Sequence, residues 1–552
     1  MDQTNEFDFD FFFHDYPEYL SDDPDFHTGT APLPSYPHVV GASLSQGHPP
    51  IYAWSSNPPM PNTYHQWNSN TPTATNPSSA STPLPAAEIF NDQNAPPLSP
   101  VESKRKSDEE VLMPATKRWK SADEIPPSQA SSQEPQAADI RHTGACLPCQ
   151  MRTNRHKCWP GPVKGGACGP CLKRAASSSL TVDCRRARFQ DVEIFRLGPT
   201  KDFANSLRWL RKGADLDPDK QKLWKPITNI PAKKNQSNGQ QHRVLQLSQG
   251  FTKDTLNLHV QEFDPQQDDR LSYTWFENGS PREYRCPAFA ISDADYAKQA
   301  ISRFIDSSVK SYVEHLFPPT DELGPAFLRT VFQHALERAK ESGLITLALR
   351  FWVACRFIEY PWNIVGKETL GMIRDPRPES PYARRIPVTP IMDFQIDNIV
   401  IYEQLRNLLK KIRTIMRNKI MPMKKEDWFD VHLATFILLE HADRTMAHDR
   451  EFARDHNLPA KYSNRPLIEM VTFGANSLLE YHHHEKSHYP LSAASWHEVE
   501  KSYPFSEDQK AYLIKARDMI RQLSVPKEPE SPLFWASQIY DSNWRPAIVE
   551  VV

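Results

Sequence analysis

Six cysteines in one short segment carry the clearest potential for chemistry in the chain. They are spaced as Cys146-x2-Cys149-x8-Cys158-x9-Cys168-x2-Cys171-x12-Cys184. Each half of this segment contains a C-x2-C pair followed by a third cysteine, which is an internal pseudo-repeat. Zinc prefers four ligands in a tetrahedron, and thiolates suit it well. Six sulfurs can satisfy two zinc ions if two thiolates each bridge both metals, so the sequence predicts a site for two Zn²⁺ ions.

A simpler metal site uses only part of this set. The two C-x2-C pairs, Cys146/Cys149 and Cys168/Cys171, would by themselves form a single four-cysteine zinc site, as in zinc ribbons and GATA-type fingers. Cys158 and Cys184 would then be spare, and such a module would bind protein or RNA. Two like halves favour the two-zinc interpretation, and the number of zinc ions per chain distinguishes the two.

Basic residues between and after the cysteines indicate a nucleic-acid partner. Between positions 141 and 190 they far outnumber the single acid, Asp183, although the whole chain has a formal charge of −3. A short helix that metal holds in place can enter the major groove of double-stranded DNA, while other cations contact phosphates. The candidate DNA-binding residues are Arg152, Arg155, His156, Lys157, Lys173, Arg174, Arg185, Arg186 and Arg188.

The cysteine pattern and the basic run Arg155-His156-Lys157-Cys158 resemble the fungal binuclear zinc-cluster (Zn2Cys6) transcription factors. The resemblance covers residues 142–188 and implies that the first and fourth cysteines, Cys146 and Cys168, bridge the metals. It also implies that basic residues after the second cysteine read a G/C-rich triplet such as CGG, and that the protein regulates RNA polymerase II transcription in the nucleus. The gaps of eight and twelve residues are longer than is usual in that family.

The first 140 residues are rich in Pro, Ser, Thr, Asn and Gln, and we expect them to be disordered because they have too little apolar surface to form a core. Aromatic residues alternate with acids over residues 7–26, a composition typical of segments that bind transcriptional coactivators; the alternative is an inert acidic tail. Two basic clusters farther along match a bipartite signal for a nuclear import receptor, although solvated charge runs look similar. Their residues are Lys104, Arg105, Lys106, Lys117, Arg118 and Lys120.

The elements that accompany the cysteine module are predicted to be mainly α-helical. We assign 1–140 to the disordered region, 141–190 to the zinc-cluster DNA-binding domain, 191–290 to a linker with a small β segment, and 291–552 to an all-helical regulatory domain. Strands are predicted at 244–247 and 256–260, and the same small sheet is expected to continue near 273–276.

Apolar residues at helical spacing predict the helices of the last domain. One helix is expected to start near Pro325 and to stop at Gly343. Another runs from about Ile399 to Ile420 and carries several lysines and arginines. A dimerising coiled coil or a second DNA-facing surface is conceivable for it, but a bundle helix is the better interpretation of three unsupported heptads.

One further motif has the form of an enzyme site. His484-Glu485-Lys486-Ser487-His488 matches H-E-x-x-H, which on a helix would place two imidazoles beside a catalytic carboxylate as in a zinc metallohydrolase. Pro490 would end that helix almost immediately, and the run of histidines at 482–484 makes a chance match easy. We therefore predict that the protein is not an enzyme. The acidic, aromatic N-terminus is no secretory signal and no stretch suits a bilayer, so we expect no membrane partner, reduced cysteines and a nuclear location.

Overall fold

The structure is a computed structural model. It describes residues 145–146, 149, 158–159, 167–177, 184, 189–198, 205–209, 226–233, 243–277, 280–378, 380–420, 424–455, 458–483, 490–492, 496–523 and 528–550. The predicted disordered region with its acidic segment and import signal lies outside these residues.

A four-stranded antiparallel sheet lies beside the helices. Its strands are β1 (Arg243–Ser248), β2 (Leu256–Glu262), β5 (Phe289–Ile291) and β6 (Asn363–Val365), in the order β5-β2-β1-β6. Leu245 pairs with Leu258 and Leu247 pairs with Leu256, which places all four buried leucines on the same face. Alternating apolar residues at these positions are what a sheet with one covered face requires. The two strands predicted here are confirmed.

A separate hairpin consists of β3 (Ser272–Glu277) and β4 (Ser280–Arg285). The prediction that the segment near 273–276 continues the first sheet is therefore wrong, because β3 pairs with β4 alone. Tyr273 and Trp275 of β3 instead pack against Tyr382, with ring centroids 5.1 and 5.9 Å apart. The hairpin thus adds aromatic side chains to the core but no strand to the four-stranded sheet.

The rest of the described chain is mainly helical, as predicted. The helices are α1 (Gly169–Ser177), α2 (Ala294–Leu316), α3 (Leu323–Arg338), α4 (Gly343–Phe357), α5 (Pro390–Ile399), α6 (Arg406–Ile420), α7 (Trp428–Asp455), α8 (Arg465–His482), α9 (Trp496–Ser502), α10 (Glu507–Gln522) and α11 (Phe534–Ser537). Several begin at side-chain caps. Asp293 accepts from the amide of Tyr296 at 2.9 Å, and Ser506 forms a capping box with Gln509.

Helices α4 and α7 form the centre of the helical layer. Helix α4 is buried on all sides from Phe351 to Phe357 and packs against α2, α6 and α7. Such a helix has no polar face to show to water, so neighbours must surround it. One continuous hydrophobic core joins these helices to the sheet, from Phe189 to Ile539. The sheet is therefore part of the same packed body as the helices. The predicted domain boundaries remain predictions. Strand β5 crosses the predicted boundary between residues 290 and 291.

Two helix boundaries differ from expectation. Gly343 does not stop a helix: α3 ends at Arg338, and Gly343 is the first residue of α4. The turn between them is closed by backbone bonds such as that from the Ser342 amide to the Arg338 carbonyl, at 3.0 Å. The helix expected from Ile399 is part of a longer unit, in which a π-helical turn at Val400–Leu405 joins α5 to α6. Leu409, Ile412 and Met416 of α6 are buried in the core, so the bundle interpretation describes this helix.

No helix in the described part of the chain has the length and apolar character needed to cross a bilayer.

Candidate metal centre and nucleic-acid interface

The six clustered cysteines form a compact core of their own. Five are almost fully buried and Cys184 is half-buried, and among the described residues Ala145 and Ala167 add apolar contacts. None of the described cysteines forms a disulfide. The described part of this core is sulfur and two alanines, which offer little hydrophobic stabilisation, so a bound metal would supply much of the folding free energy, typically about 10 kcal/mol or more per structural zinc.

The sulfurs lie in two groups of four that share two members. One group is Cys146, Cys149, Cys158 and Cys168; the other is Cys146, Cys168, Cys171 and Cys184. Within each group all sulfurs lie within 4.8 Å of one another. Cys146 and Cys168, which belong to both groups, have their Sγ atoms 3.6 Å apart. Two four-sulfur sites with two common ligands are the arrangement that six thiolates need to bind two metal ions.

Sulfur–sulfur distances match a tetrahedral metal site. A zinc–sulfur bond of about 2.3 Å places the corners of a tetrahedron about 3.8 Å apart. Cys146 Sγ lies 3.6 Å from Cys171 Sγ, and Cys149 Sγ lies 3.7 Å from Cys168 Sγ. The donor set therefore fits a thiophilic ion such as Zn²⁺ without a change of the backbone.

Backbone hydrogen bonds repeat between the two halves of the module. The amide of Cys146 donates to Cys158 Sγ at 3.4 Å, and the amide of Cys168 donates to Cys184 Sγ at 3.0 Å. The first cysteine of each half thus binds the third cysteine of the same half. The pseudo-repeat in the sequence is a repeat in structure, and it gives Cys158 and Cys184 equivalent positions.

Thiol electrostatics also indicate the need for a cation. Burial raises the pKa of Cys158 and raises that of Cys184 to about 12. Hydrogen bonds from Cys146 and Cys171 lower the pKa of Cys149 to about 4, whereas bonding with Cys146 and Cys149 raises the pKa of Cys171. The packed sulfurs cannot all carry charge unaided, since each thiolate penalises the next. A divalent ion that removes the protons would relieve this conflict.

Trp159 joins the two halves and was missed by sequence reasoning. Its carbonyl accepts from the Gly169 amide at 3.1 Å, and its indole fills the place where a side chain at Gly169 would begin. The exposed ammonium of Lys173 lies 5.3 Å from the centre of the indole ring. Trp159 is the only aromatic residue between Cys146 and Cys184, which was a usable signal.

The predicted DNA-binding residues are only partly placed. Lys173 is exposed on α1, two residues after Cys171, and Arg174 occupies the next position of the same helix. The others lie outside the described residues: Arg152, Arg155, His156, Lys157, Arg185, Arg186 and Arg188.

The chain that follows Cys184, the last cysteine of the module, packs directly into the helical core. Phe189, Val192, Ile194 and Phe195 are each at most 2% exposed. Arg413 of α6 donates to the Val192 carbonyl at 2.7 Å and to Glu193 at 3.0 Å. We call residues 189–197 the anchor segment. Sequence analysis placed residues from 191 onward in a linker, because the contacts of this segment come from helices some 200 residues away in the chain.

The H-E-x-x-H motif has no described helix beneath it. Helix α8 ends at His482 with His483 as its cap, and residues 484–489 lie outside the described residues. His482 and His432 are packed against each other in the interior, with ring nitrogens 3.1 Å apart. His432 and His441, both on α7, are almost fully buried.

The described chain combines a small cysteine module with a large, mainly helical body that follows it. The family model for the KpeA transcription factor matches residues 195–523, more than half of the 552-residue chain. The chain therefore belongs to the KpeA transcription factor family, and the protein is a transcription factor. No curated protein and no solved structure matches it. The family match covers the helical body and not the cysteine module.

Proposed function

We propose that this transcription factor binds double-stranded DNA through a two-zinc cluster. Cys146 and Cys168 would serve both metal ions, Cys149 and Cys158 would complete the ligands of one ion, and Cys171 and Cys184 would complete those of the other. The observation that carries the proposal is the pair of four-sulfur groups with exactly those two members in common. Two zinc ions and six thiolates leave a net charge of −2, which the neighbouring lysines and arginines would offset.

In this proposal one set of residues contacts the bases and another set contacts the phosphates. Arg152, Arg155, His156 and Lys157 contact base edges of a G/C-rich, CGG-like site in the major groove, where arginine pairs with guanine. Lys173, Arg174, Arg185, Arg186 and Arg188 contact phosphates and fix the register. The zinc ions act as structural ions that hold these side chains in place. The protein regulates RNA polymerase II transcription in the nucleus, with an import receptor binding residues 104–120 and coactivators binding the acidic N-terminus.

Metal content and DNA binding test the proposal together on the full chain. We expect native mass spectrometry to find two zinc ions per chain, and a gel shift against a random-sequence duplex pool to show binding that chelation abolishes. One zinc per chain would support the single-site alternative formed by the two C-x2-C pairs. Full metal loading without any DNA binding would instead leave a protein- or RNA-binding module.

Base reading has a separate test. Selection from the random pool gives the preferred site, and Arg155→Ala is expected to weaken binding more on that site than on random DNA. Arg186→Ala should weaken both about equally and lower the salt dependence of log K by about one. An equal loss on both DNAs for Arg155→Ala would remove Arg155 from the base-reading set.

A metallohydrolase using His484, Glu485 and His488 is the weaker alternative. Membership of a transcription factor family favours regulation over catalysis, and α8 ends before the motif begins. Zinc-dependent peptidase activity that disappears in Glu485→Ala would support the enzyme instead.

A further inference from the structure

Helix α6 carries an unusual concentration of positive charge. Its sequence, RNLLKKIRTIMRNKI, contains six basic residues and no acid. Arg413 binds the anchor segment through Val192 and Glu193, and Lys419 is paired with Asp427. Lys410 and Lys411 lie on the exposed side of the helix, and in the described part of the chain neither has an ion-pair partner.

The apolar side of α6 is fully used inside the protein. Leu408, Leu409, Ile412 and Met416 are buried against the core. A dimerising coiled coil needs an apolar seam that is free to meet a second helix. The exposed side of α6 offers lysine, threonine and asparagine instead, which favours a partner that is recognised by its negative charge.

The position of α6 relative to the cysteine module indicates which polyanion this is. Helix α6 packs against the short turn Phe189–Asp191 at the start of the anchor segment. Only five residue steps separate that turn from Cys184, so the two ends lie within about 18 Å even if the chain is fully extended. DNA carries a phosphate charge about every 1.7 Å along its axis. The turn that α6 contacts is therefore no farther from Cys184 than a few base pairs of duplex are long, so one duplex held by the module can reach both.

We propose that Lys410 and Lys411 form a second DNA contact, which grips the phosphate backbone on the flank of the site held by the zinc module. This inference depends on the proposed function. The lysines are linked to the anchor segment, because Arg413 lies on the same helix and binds Val192 and Glu193. Two ammonium groups give no base reading, so the contact adds affinity for flanking DNA of any sequence.

Binding of the full, zinc-loaded chain to duplexes of increasing flank length tests this contact. Wild-type affinity should rise when the flank grows by about one helical turn, and Lys410→Gln/Lys411→Gln should lose that rise. The variant should also reduce the slope of log K against log salt by about 1.8, since each released contact contributes about 0.9. The loss should be the same for specific and random flanks.

A matched control removes two other exposed lysines. Lys501→Gln/Lys515→Gln makes the same charge change on α9 and α10 and should keep both the slope and the flank effect. If wild type binds its site with zinc dependence but Lys410→Gln/Lys411→Gln keeps the wild-type slope, the second contact is wrong and the proposed function stands. If the lysine variant loses an acidic protein partner but no DNA affinity, α6 is a protein-docking face. If wild type shows no zinc-dependent DNA binding, both proposals fail.

Discussion

The guanidinium of Arg196 donates a 2.7 Å hydrogen bond to the carboxylate of Asp397 in an ion pair more than nine-tenths buried. Arg196 lies twelve residues after Cys184, the last cysteine of the module, and Asp397 lies on α5. The pair therefore fixes the anchor segment to the helical core. Removing one member of a buried pair leaves the other charge without compensation, which is usually more costly than replacing both.

Arg196→Met is accordingly expected to lower the free energy of unfolding by about 3–5 kcal/mol. Arg196→Met/Asp397→Leu should recover part of that loss, because it buries no lone charge. Urea denaturation of the full chain gives both values. Arg465→Met is the control, since Arg465 and Glu469 form an exposed pair on α8 worth at most about 1 kcal/mol. Similar losses at positions 196 and 465 would contradict the anchoring role of the buried pair.

Gly474 of α8 allows the anchor segment to approach closely. A Cβ at this position would lie 2.5 Å from the Glu193 carbonyl oxygen and 2.6 Å from Ile194. Alanine favours a helix over glycine by about 1 kcal/mol, but overpacking commonly costs about 1–3 kcal/mol, and here the nearest atom is backbone. We expect Gly474→Ala to destabilise the protein by about 1–2 kcal/mol. Gly343→Ala, with nothing within 4 Å of its Cβ, should be neutral or stabilising in the same thermal melts. A stabilised Gly474→Ala would show that the anchor segment moves aside freely.

The sequence predicted the features that depend on residues close together in the chain, and it missed those that depend on distant contacts. The convergence of the six cysteines followed from their spacing, because metal ligands must meet whatever surrounds them, whereas the sharing of Cys146 and Cys168 came from the resemblance to zinc-cluster transcription factors. The strand pattern at Leu245, Leu247 and Leu256 was equally local. Gly343 was misassigned because glycine can end one helix or begin the next, and only the backbone bonds of the intervening turn decide between them.

Long-range contacts account for what the sequence could not supply. The sequence around Phe189 and Arg196 does not indicate which distant residues this segment will contact. In the structure these are Tyr481, Asp397 and Arg413. Phe189 and Tyr481 meet edge to face with ring centroids 4.5 Å apart, across almost 300 residues. The sequence suggested a linker from residue 191 onward instead. Burial created by distant elements overrides a local composition of this kind.

Cys184 distinguishes the two metal-site interpretations. In the two-zinc cluster Cys184→Ala removes one ligand of the second tetrahedron, so the chain should lose one zinc and its DNA affinity should fall by at least tenfold. In the single-site alternative Cys184 is spare and the substitution changes neither. Metal analysis and a gel shift on the same sample give the answer. Cys286→Ala is the control, because Cys286 is a buried thiol outside both sulfur groups.

Lys173, which lies in the second half of the cysteine module, should contact a phosphate of the bound DNA. Lys173→Gln is expected to weaken DNA binding about equally on specific and random sequences, with a salt slope lower by about one. Trp159→Leu, which removes the ring beside the ammonium, should produce a smaller loss of the same kind. Fluorescence anisotropy over a salt series measures both. Unchanged slopes would place Lys173 off the DNA and leave its packing on Trp159 as a purely structural contact.

His448 of α7 should make stability depend on pH. Burial, helped by the charges of Arg196 and Arg356, lowers its pKa from 6.5 to about 4. The folded protein keeps this imidazole neutral, whereas the unfolded chain takes up a proton below about pH 6.5. The unfolded state therefore binds more protons between pH 6.5 and about 4, and the stability that depends on neutral His448 falls as the pH drops through that window. Above pH 6.5 the term is constant.

His448→Gln removes this proton uptake. The difference in unfolding free energy between wild type and variant is expected to be flat above pH 7 and to shrink toward acid by up to about 1.4 kcal/mol per pH unit. Denaturant titrations at several pH values between 4.5 and 8 measure it, with His497→Gln at an exposed position of α9 as the matched substitution. Because Arg196 contributes to the shift, Arg196→Met should flatten the pH dependence of this difference. A difference that stays constant from pH 8 to pH 4.5 would mean that His448 takes up a proton in the folded protein as readily as in the unfolded chain.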